Sequence, residues 1–279
     1  WHIVKYENGM NVIGCKWVFT KKRDSSGKVC RYKARLVAKG FDQQYGIDYK
    51  ETFAPVLKYK SLRIILVLSI IYQTELEQLD VKTAFLNASV SEDIYVSIPE
   101  GMNMNEDKVL KLRKALYGIK QAPREWNQEI TKYLLGLGYI ACKKDACLYI
   151  KISKNNNIIV IGLFVDDMLV LYFRNDKEEW NNDKRILKQK YELTEMGQVQ
   201  QILGMRVTKL NNNSLMLDQS VYVNDKLKLF GFANAKHVST PEVVMRKMNG
   251  TKIVNDDSVY DECDNDDSLS ESEINTCRA

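Results

Sequence analysis

The residues Gly162–Leu169, GLFVDDML, place two adjacent aspartates within an otherwise apolar run. A buried carboxylate is costly unless a partner neutralises it, and two neighbouring carboxylates also repel each other. Because Asp is a common turn residue, one interpretation is a hairpin whose tip, Asp166–Asp167, lies in water. The other is a divalent cation held between two strands. These eight residues alone favour the turn and leave the cation site open.

Length and composition are those of a globular protein. The chain has 279 residues, 45% hydrophobic and 28% charged, enough for a large core and two or more subdomains. Six cysteines without a CxxC pair and only two histidines argue against a structural zinc site or a disulfide framework. The longest apolar run, 64–71, is too short to cross a bilayer, so we expect no membrane partner. The first residue is not Met, and we expect a piece of a longer protein.

Charge is distributed unevenly along the chain. The net charge is +5, but residues 251–279 contain nine acidic and two basic residues, which leaves +12 for residues 1–250. Nine Lys or Arg residues and one acidic residue lie within 16–39, interleaved with aromatic residues. A solvated face is the simplest interpretation of a charge run. This density nevertheless favours a polyanionic partner, which could be nucleic acid or the phosphates of a nucleotide.

Hydrophobic periodicity and turn residues predict an α+β domain, an antiparallel sheet with helices packed on one face. In chain order the pattern predicts a cationic hairpin of strands 16–23 and 29–37, a helix capped by Ser61 and running through 62–72, a strand ending at Val81, a helix over 121–138, a hairpin of strands 158–165 and 168–173, and helices over 176–190 and 221–230. From about residue 246 the periodicity is lost, and we interpret the acidic tail as disordered.

Several helices have a predicted inward face. The helix after Ser61 is almost continuously apolar, which predicts burial on most sides. Trp126 and Trp180 are assigned to the core. The last helix is expected to pack through its apolar side chains, Val223, Leu227 and Phe230.

A third aspartate, Asp80, follows a strand-like segment 86 residues before Asp166. Antiparallel pairing could bring Asp80 beside Asp166 and Asp167. Three gathered carboxylates repel one another unless cations intervene, and carboxylates with few nitrogen ligands favour hard ions such as Mg²⁺. Two such ions about 4 Å apart can promote phosphoryl transfer. Since aspartates are common at strand ends, spacing alone leaves this one possibility among others.

Six separated blocks then indicate a family. They are RYKARLVAKGF (31–41), GIDYKETFAPV (46–56), QLDVKTAFLNA (78–88), EDIYVSIPEG (92–101), KALYGIKQAPREW (114–126) and LFVDDML (163–169). In this order and spacing they resemble the reverse transcriptase of copia-type long-terminal-repeat retrotransposons. The resemblance extends from Trp17 to about Pro241, most of the chain.

The resemblance implies a right-hand polymerase. It places fingers with the basic hairpin in 1–75, a catalytic palm and part of the fingers in 76–210, an incomplete thumb or connection in 211–245, and the acidic tail in 246–279. It implies RNA-directed DNA polymerase activity with two Mg²⁺ ions (Mn²⁺ possible), deoxynucleoside triphosphates, an RNA or DNA template with a primer, and other parts of a retrotransposon polyprotein as partners. Such elements reverse-transcribe in cytoplasmic particles, but nothing in the sequence directs the chain to one.

The resemblance also assigns roles to individual residues. Metal ligands are the carboxylates of Asp80, Asp166 and Asp167, the catalytic residues, and the carbonyl of Val81. The incoming nucleotide is bound by Lys22, Arg31, Lys33, Arg35, Thr83, Ala84, Phe85, Tyr117 and Gly118, with Phe85 under the sugar and the basic residues on phosphates. The primer grip is Leu203, Gly204 and Met205. Phe85 and Tyr117 could instead be ordinary packing residues, and of Lys33 and Arg35 we expect only one to face the site.

Some features depart from the family pattern. Ala88 replaces the usual Gly, which would be strained if the turn needs a positive φ. Phe164 replaces the usual Tyr before VDD. A ribonuclease H domain, expected after residue 241, is missing from the sequence. Two other functions therefore stay open: a remnant that binds nucleic acid without polymerising, and a metal-dependent nuclease.

Overall fold

The computed structural model describes residues 1–23, 28–105, 107–211 and 214–235. The predicted acidic tail and the tip of the cationic hairpin, 24–27, lie outside these residues. None of the described helices is long and apolar enough to span a membrane.

Fifteen strands and five α-helices are found in the described part of the chain. The strands are β1 (His2–Lys5), β2 (Val12–Ile13), β3 (Cys15–Arg23), β4 (Val29–Ala38), β5 (Glu75–Val81), β6 (Tyr95–Val96), β7 (Lys108–Lys111), β8 (Ile140–Cys142), β9 (Asp145–Ile152), β10 (Ile158–Phe164), β11 (Asp167–Tyr172), β12 (Leu193–Gln198), β13 (Gln201–Ile202), β14 (Met205–Asn211) and β15 (Ser214–Asp218). The helices are α1 (Tyr59–Ile71), α2 (Ala84–Asn87), α3 (Ala122–Gly136), α4 (Lys177–Lys190) and α5 (Ser220–Leu229). Short 3₁₀ turns occupy Gly40–Asp42 and Arg174–Asp176.

The centre of the fold is a six-stranded antiparallel sheet in the order β12-β5-β11-β10-β9-β8. The predicted hairpin around the two aspartates is present, but its turn is Val165–Asp166 rather than Asp166–Asp167. Phe164 pairs with Asp167, which is therefore the first residue of β11. The β-branched and aromatic residues of β10 and β11 are almost all buried, because helices cover the sheet at this point.

One face of the sheet packs against α1. Gly162 makes this possible, because a Cβ atom there would lie 2.9 Å from Ile65 Cδ1 and 3.0 Å from Leu57 Cδ2. By strand alternation and register, Leu169 and Gln78 point to the same side as Gly162.

The opposite face packs against α3 and α4. Thr131 of α3 and Tyr149 of β9 are 2.6 Å apart at their hydroxyl oxygens. The indole of Trp180 in α4 donates to Glu77 Oε2 of β5 at 2.7 Å. The prediction of helices on one face is therefore wrong: α1 covers the face that α3 and α4 do not, and Gly162 provides the room for it.

The start of α1 also differs from the prediction. Ser61 is not the cap but lies within the first turn, and Lys58 precedes the helix without a side-chain cap. The buried carboxylate of Asp145 in β9 takes that role, accepting from the backbone N–H of Lys58 at 3.0 Å and from the Ser61 hydroxyl. Asp145 also accepts from the N–H of Cys147 at 3.1 Å, so one carboxylate joins the helix to the sheet.

Two further packing expectations are wrong. Ile64, Val67 and Ile71 of α1 are each more than half exposed, so this helix is buried on one side only. The expected inward residues of the last helix are also exposed, Phe230 directly after α5 by 63%, and no residue of α5 is buried. By contrast, Trp126 and Trp180 are buried, as predicted.

Smaller sheets flank the six-stranded one. The predicted cationic hairpin is β3–β4, and β13-β14-β15 form a three-stranded antiparallel sheet. A four-stranded sheet has the order β1-β7-β6-β2, in which only the pairing of β2 with β6 is parallel. The architecture is thus mixed α and β with mainly antiparallel sheets, as the sequence predicts.

Asp145→Ala should lower the free energy of unfolding by roughly 2–4 kcal/mol, because it leaves several donors without an acceptor. Ser61→Ala should cost only about 1 kcal/mol, since the carboxylate keeps its two backbone donors. Urea unfolding of the two variants and the original protein measures both changes. Equal losses would mean that Asp145 is not the principal acceptor at the start of α1.

Candidate active site

The three predicted aspartates lie at one end of the β5–β11 pair. Asp80 and Asp167 are directly opposite each other in the antiparallel register. Asp166 is exposed in the turn, and its carbonyl accepts from the N–H of Val81 at 2.9 Å. The register therefore brings together carboxylates from two distant parts of the chain, as the sequence predicts.

The surroundings of the three aspartates, at this end of the β5–β11 pair, disfavour negative charge on Asp80 and Asp167. Burial and then the Asp166 charge raise the pKa of Asp80, against the opposing effects of Lys33 and Lys82. Burial also raises the pKa of Asp167; Asp166 and Asp80 add to this, while a 3.4 Å hydrogen bond from Gln78 opposes it. The carboxylates thus keep a repulsion that the neighbouring cations do not cancel.

The donor set fits a hard divalent cation. Oxygen donors without nitrogen or sulfur are the ligands that Mg²⁺ and Mn²⁺ prefer, and a cation would relieve the mutual repulsion of Asp80, Asp166 and Asp167. Over the described ranges, no three His, Cys, Asp or Glu side chains already converge as a ligand set. The backbone register nevertheless places Asp80 and Asp167 opposite each other at this end of the sheet.

The segment after β5 leads into the second part of the site. Thr83 has the left-handed φ of +50°, and α2 begins directly after it at Ala84. Phe85 is half-buried, and its ring centroid lies 5.2 Å from that of Tyr117, which is half-exposed. Ala88 has φ −84°, so the expected strain from replacing glycine is absent here, because the turn needs no positive φ.

Gly118 holds the Tyr117 segment against the end of β4. It has φ +99°, and a Cβ atom there would lie 2.1 Å from the Ala38 carbonyl oxygen. Gly40 is its counterpart, since a Cβ atom there would lie 2.0 Å from the Gly118 carbonyl oxygen. The Ala38 N–H donates to the Tyr117 carbonyl at 2.8 Å. Only glycines allow two backbones to approach so closely.

A buried amide pair beside this contact was missed by the sequence analysis. The side chain of Gln43 accepts from the Lys120 N–H at 2.6 Å and donates to Gln121 Oε1 at 3.0 Å. Gln121 in turn donates to the Asp48 carbonyl at 2.7 Å. Asp48, Lys120 and Gln121 belong to two of the blocks quoted above, and Gln43 lies between two blocks. Glutamine side chains carry no pattern that predicts burial.

The cationic hairpin faces the site with more than one residue. Lys33 lies close enough to Asp80 for their charges to interact, and burial together with the nearby Arg35, Lys22 and Arg31 lowers its pKa. The Arg35 guanidinium carbon lies 5.9 Å from the centroid of the Tyr117 ring. The expectation that only one of Lys33 and Arg35 faces the site is wrong, because residues two apart on a strand share a face.

The outer cations are less closely engaged. Lys22 and Arg31 are exposed and oppose each other across β3 and β4. With Lys33 and Arg35 they form a row of positive charge on one side of the hairpin, since Arg31, Lys33 and Arg35 alternate along β4.

The predicted primer-grip residues form a tight hairpin. Leu203 and Gly204, with φ +50° and +75°, make the turn between β13 and β14, and Met205 is buried. Positive φ at both central residues is the conformation of a type I′ turn, which suits glycine at the second position. Met205 lines a surface cavity with Tyr59 and Arg63, which places the hairpin beside the start of α1.

Paired aspartates on an antiparallel sheet, beside two aromatic rings in tilted contact and a row of cations, are the features expected of a nucleotidyl-transferring polymerase. The family model for reverse transcriptase (RNA-dependent DNA polymerase) matches residues 1–244, and the chain belongs to this family.

Known relatives show which members of this family the chain resembles. It is 43% identical over 242 residues to the retrovirus-related Pol polyprotein from transposon TNT 1-94 of Nicotiana tabacum, covering 86% of this chain. It is 38% identical over 250 residues to the corresponding polyprotein from transposon RE1 of Arabidopsis thaliana, covering 88%. The Ty1-DR4 Gag-Pol polyprotein of Saccharomyces cerevisiae is 34% identical over 179 residues, covering 63%. The resemblance to copia-type elements is thereby confirmed.

The relatives are far longer than this chain. The matched region makes up 18% of the tobacco polyprotein and 17% of the Arabidopsis one. The chain corresponds to the reverse transcriptase domain of such Pol polyproteins.

Asp80→Asn should raise the free energy of unfolding of the metal-free protein at pH 7. The folded state holds the Asp80 proton more tightly than the unfolded state, so stability falls as pH rises through the raised pKa. The variant lacks this loss, and its advantage should therefore grow from about pH 4 upwards.

Urea unfolding in a chelator, repeated across pH, measures this difference. Asp93→Asn is the matched control, because Asp93 is exposed and paired with Lys111 at 2.6 Å. Its stability should not rise. An Asp80→Asn variant that is less stable at pH 7 would contradict the proposed repulsion.

Proposed function

We propose that this chain is the polymerising domain of an RNA-directed DNA polymerase from a copia-type retrotransposon. It transfers a nucleotide from a deoxynucleoside triphosphate to the 3′-hydroxyl of a primer on an RNA or DNA template. One observation carries the proposal: the Asp80–Asp167 pair lies at the strand end that leads directly into Phe85 and its partner Tyr117. Asp80 and Phe85 thus lie on one segment, and their partners Asp167 and Tyr117 come from two other segments.

The carboxylate side would hold the metal. Asp80, Asp166 and Asp167 would bind two Mg²⁺ ions, or Mn²⁺, with the Val81 carbonyl as a further ligand. Bound ions would stabilise the charge on the attacking and leaving oxygens. The protein's own part is to present the carboxylates from a rigid sheet corner, so that little reorganisation is needed during the reaction.

The aromatic side would hold the nucleotide. The backbone at Thr83 and Ala84 would receive the triphosphate, and Phe85 would lie under the sugar. Tyr117 and Gly118 would line the pocket, which the close contact of Gly118 with Ala38 keeps in place.

The cation row and the β13–β14 hairpin would bind charged and extended parts of the substrates. Lys22, Arg31, Lys33 and Arg35 would neutralise phosphates, and the charge of Lys33 already acts on Asp80. Leu203, Gly204 and Met205 would contact the primer. On this proposal 1–75 are fingers, 76–210 palm and 211–245 the start of a thumb.

A second candidate is a remnant that binds nucleic acid without polymerising. The exposed apolar residues at the end of α5 and directly after it, Leu229 at 69% and Phe230 at 63%, favour it, because in the described residues of the proposed thumb α5 buries no side chain and forms no core of its own. Other parts of a polyprotein could provide that core in the intact protein.

Primer extension, filter binding and template cleavage, run side by side on the purified protein, separate these functions. Extension supports the polymerase, binding alone supports the remnant, and cleavage of the template supports a nuclease.

Asp80→Asn and Asp166→Asn should each abolish extension while near-ultraviolet circular dichroism stays unchanged, because Asn keeps the shape and removes the charge. Asp93→Asn is again the matched control and should extend normally. Normal extension by Asp80→Asn would exclude the proposed site.

Phe85→Val should admit ribonucleotides. An apolar pocket alone rejects an added hydroxyl poorly, so discrimination requires a side chain where the 2′-hydroxyl would lie. The variant should fold and extend with deoxynucleotides, and its incorporation of ribonucleotides should rise by about tenfold or more. Single-nucleotide extension with each substrate measures the ratio. A variant that extends normally and still rejects ribonucleotides would show that Phe85 is not the discriminating residue.

A further inference from the structure

The turn that presents the aspartates is strained. Val165, the residue before Asp166, has φ +55°. A β-branched residue rarely adopts this left-handed conformation, which persists only where surrounding contacts enforce it. Something outside the turn must therefore hold Val165 in place.

The holding group is the indole of Trp126. Its N–H donates to the Val165 carbonyl oxygen at 2.7 Å, from a side chain that is 1% exposed. The ring is itself fixed by an edge contact with Tyr191, at 5.4 Å between ring centroids and an angle of 88°. The donor therefore comes from a rigid part of α3 and not from a mobile side chain.

This hydrogen bond acts on the backbone of Asp166. The Val165 carbonyl belongs to the peptide group that enters Asp166, so its direction sets the rotation of that residue. The Asp166 carbonyl, which belongs to the next peptide group, accepts from the Val81 N–H at 2.9 Å. The peptide groups on both sides of Asp166 are thus tied, one to α3 and one to the strand that carries Asp80.

We propose that Trp126 is a positioning residue for the carboxylate site: its indole N–H holds the strained Val165 turn and thereby orients Asp166 and Asp167. The expected effect of Trp126 on catalysis rests on the proposed function. Its expected effect on the conformation of the turn does not depend on any activity. Core packing, the role assigned to Trp126 from the sequence, needs only the ring and not the N–H.

Trp126→Phe keeps an aromatic ring and removes the donor. Trp180→Phe is a matched control, because Trp180 is also buried and also donates at 2.7 Å, from α4 to the Glu77 carboxylate of β5 and not to the turn. Both variants lose a buried indole hydrogen bond and a similar volume. Only the first should affect the aspartate turn.

Amide hydrogen exchange, measured by mass spectrometry on peptides covering 162–169, is the first readout. Trp126→Phe should speed exchange in the turn by about tenfold, as expected for the loss of one buried hydrogen bond. Trp180→Phe should leave that segment unchanged. Equal exchange in the two variants and the original protein would overturn the proposal.

Primer extension at varied Mg²⁺ concentration is the second readout. Trp126→Phe should raise the Mg²⁺ concentration needed for half-maximal extension by about 10- to 100-fold, the usual effect of removing a group that orients metal ligands. Trp180→Phe should stay within about twofold of the original protein. An unchanged Mg²⁺ requirement in Trp126→Phe would contradict the proposal that Trp126 orients the carboxylates for metal binding.

The two readouts distinguish the possible failures. If the original protein does not extend primers but the exchange difference appears, the proposed function fails and the positioning role stands. If the original protein extends primers and neither readout changes in Trp126→Phe, the positioning role fails alone. Should Trp126→Phe not fold, site-specific benzothienylalanine, in which sulfur replaces the indole N–H, keeps the bicyclic shape and serves in both measurements.

Discussion

The pairing of Asp80 with Asp167 across β5 and β11 is the constraint on which the rest of the structure depends. Two carboxylates placed opposite each other repel, and a pair of strands without packed helices would relieve this repulsion by separating at the ends. The β5–β11 corner cannot relax in this way, because β11 is a central strand whose residues are almost all buried. The helices on both faces of the sheet therefore hold the carboxylates together as well as forming the core.

The aromatic half of the site is held by a different kind of contact. Gly40 and Gly118 let two backbone segments approach to distances that any side chain would prevent. Gln43 then links its own segment to Lys120 through hydrogen bonds. Neither contact involves the carboxylates. A substitution can therefore disturb the Tyr117 segment and leave the Asp80–Asp167 register intact, or the reverse.

A feature could be predicted from the sequence where the residues that determine it lie within the same element, and not where they lie in a distant segment. Strands β10 and β11 are indicated by their own β-branched residues, and the gathering of Asp80 with Asp166 follows from antiparallel pairing. The placement of α1 could not be predicted from the residues of the helix. It depends on the absence of a side chain at Gly162, which lies in the strand that α1 packs against. Asp145 was missed for the same reason: a carboxylate 84 residues from Ser61 has no local pattern that marks it as a helix cap.

The same distinction between local patterns and long-range contacts applies to the residues of the candidate site. Phe85, Tyr117 and the aspartates are predicted from the short blocks that contain them, whereas Gln43 and the Trp126 hydrogen bond become visible only when distant segments are placed in space. The aspartate turn illustrates why. Its sequence, VDD, would form an unstrained turn more readily with glycine in place of Val165. The Val165 conformation is explained by α3, which begins some forty residues earlier and supplies the donor that the turn lacks. The conformation of the residue that precedes Asp166 is therefore set by a contact that no short block of the sequence contains.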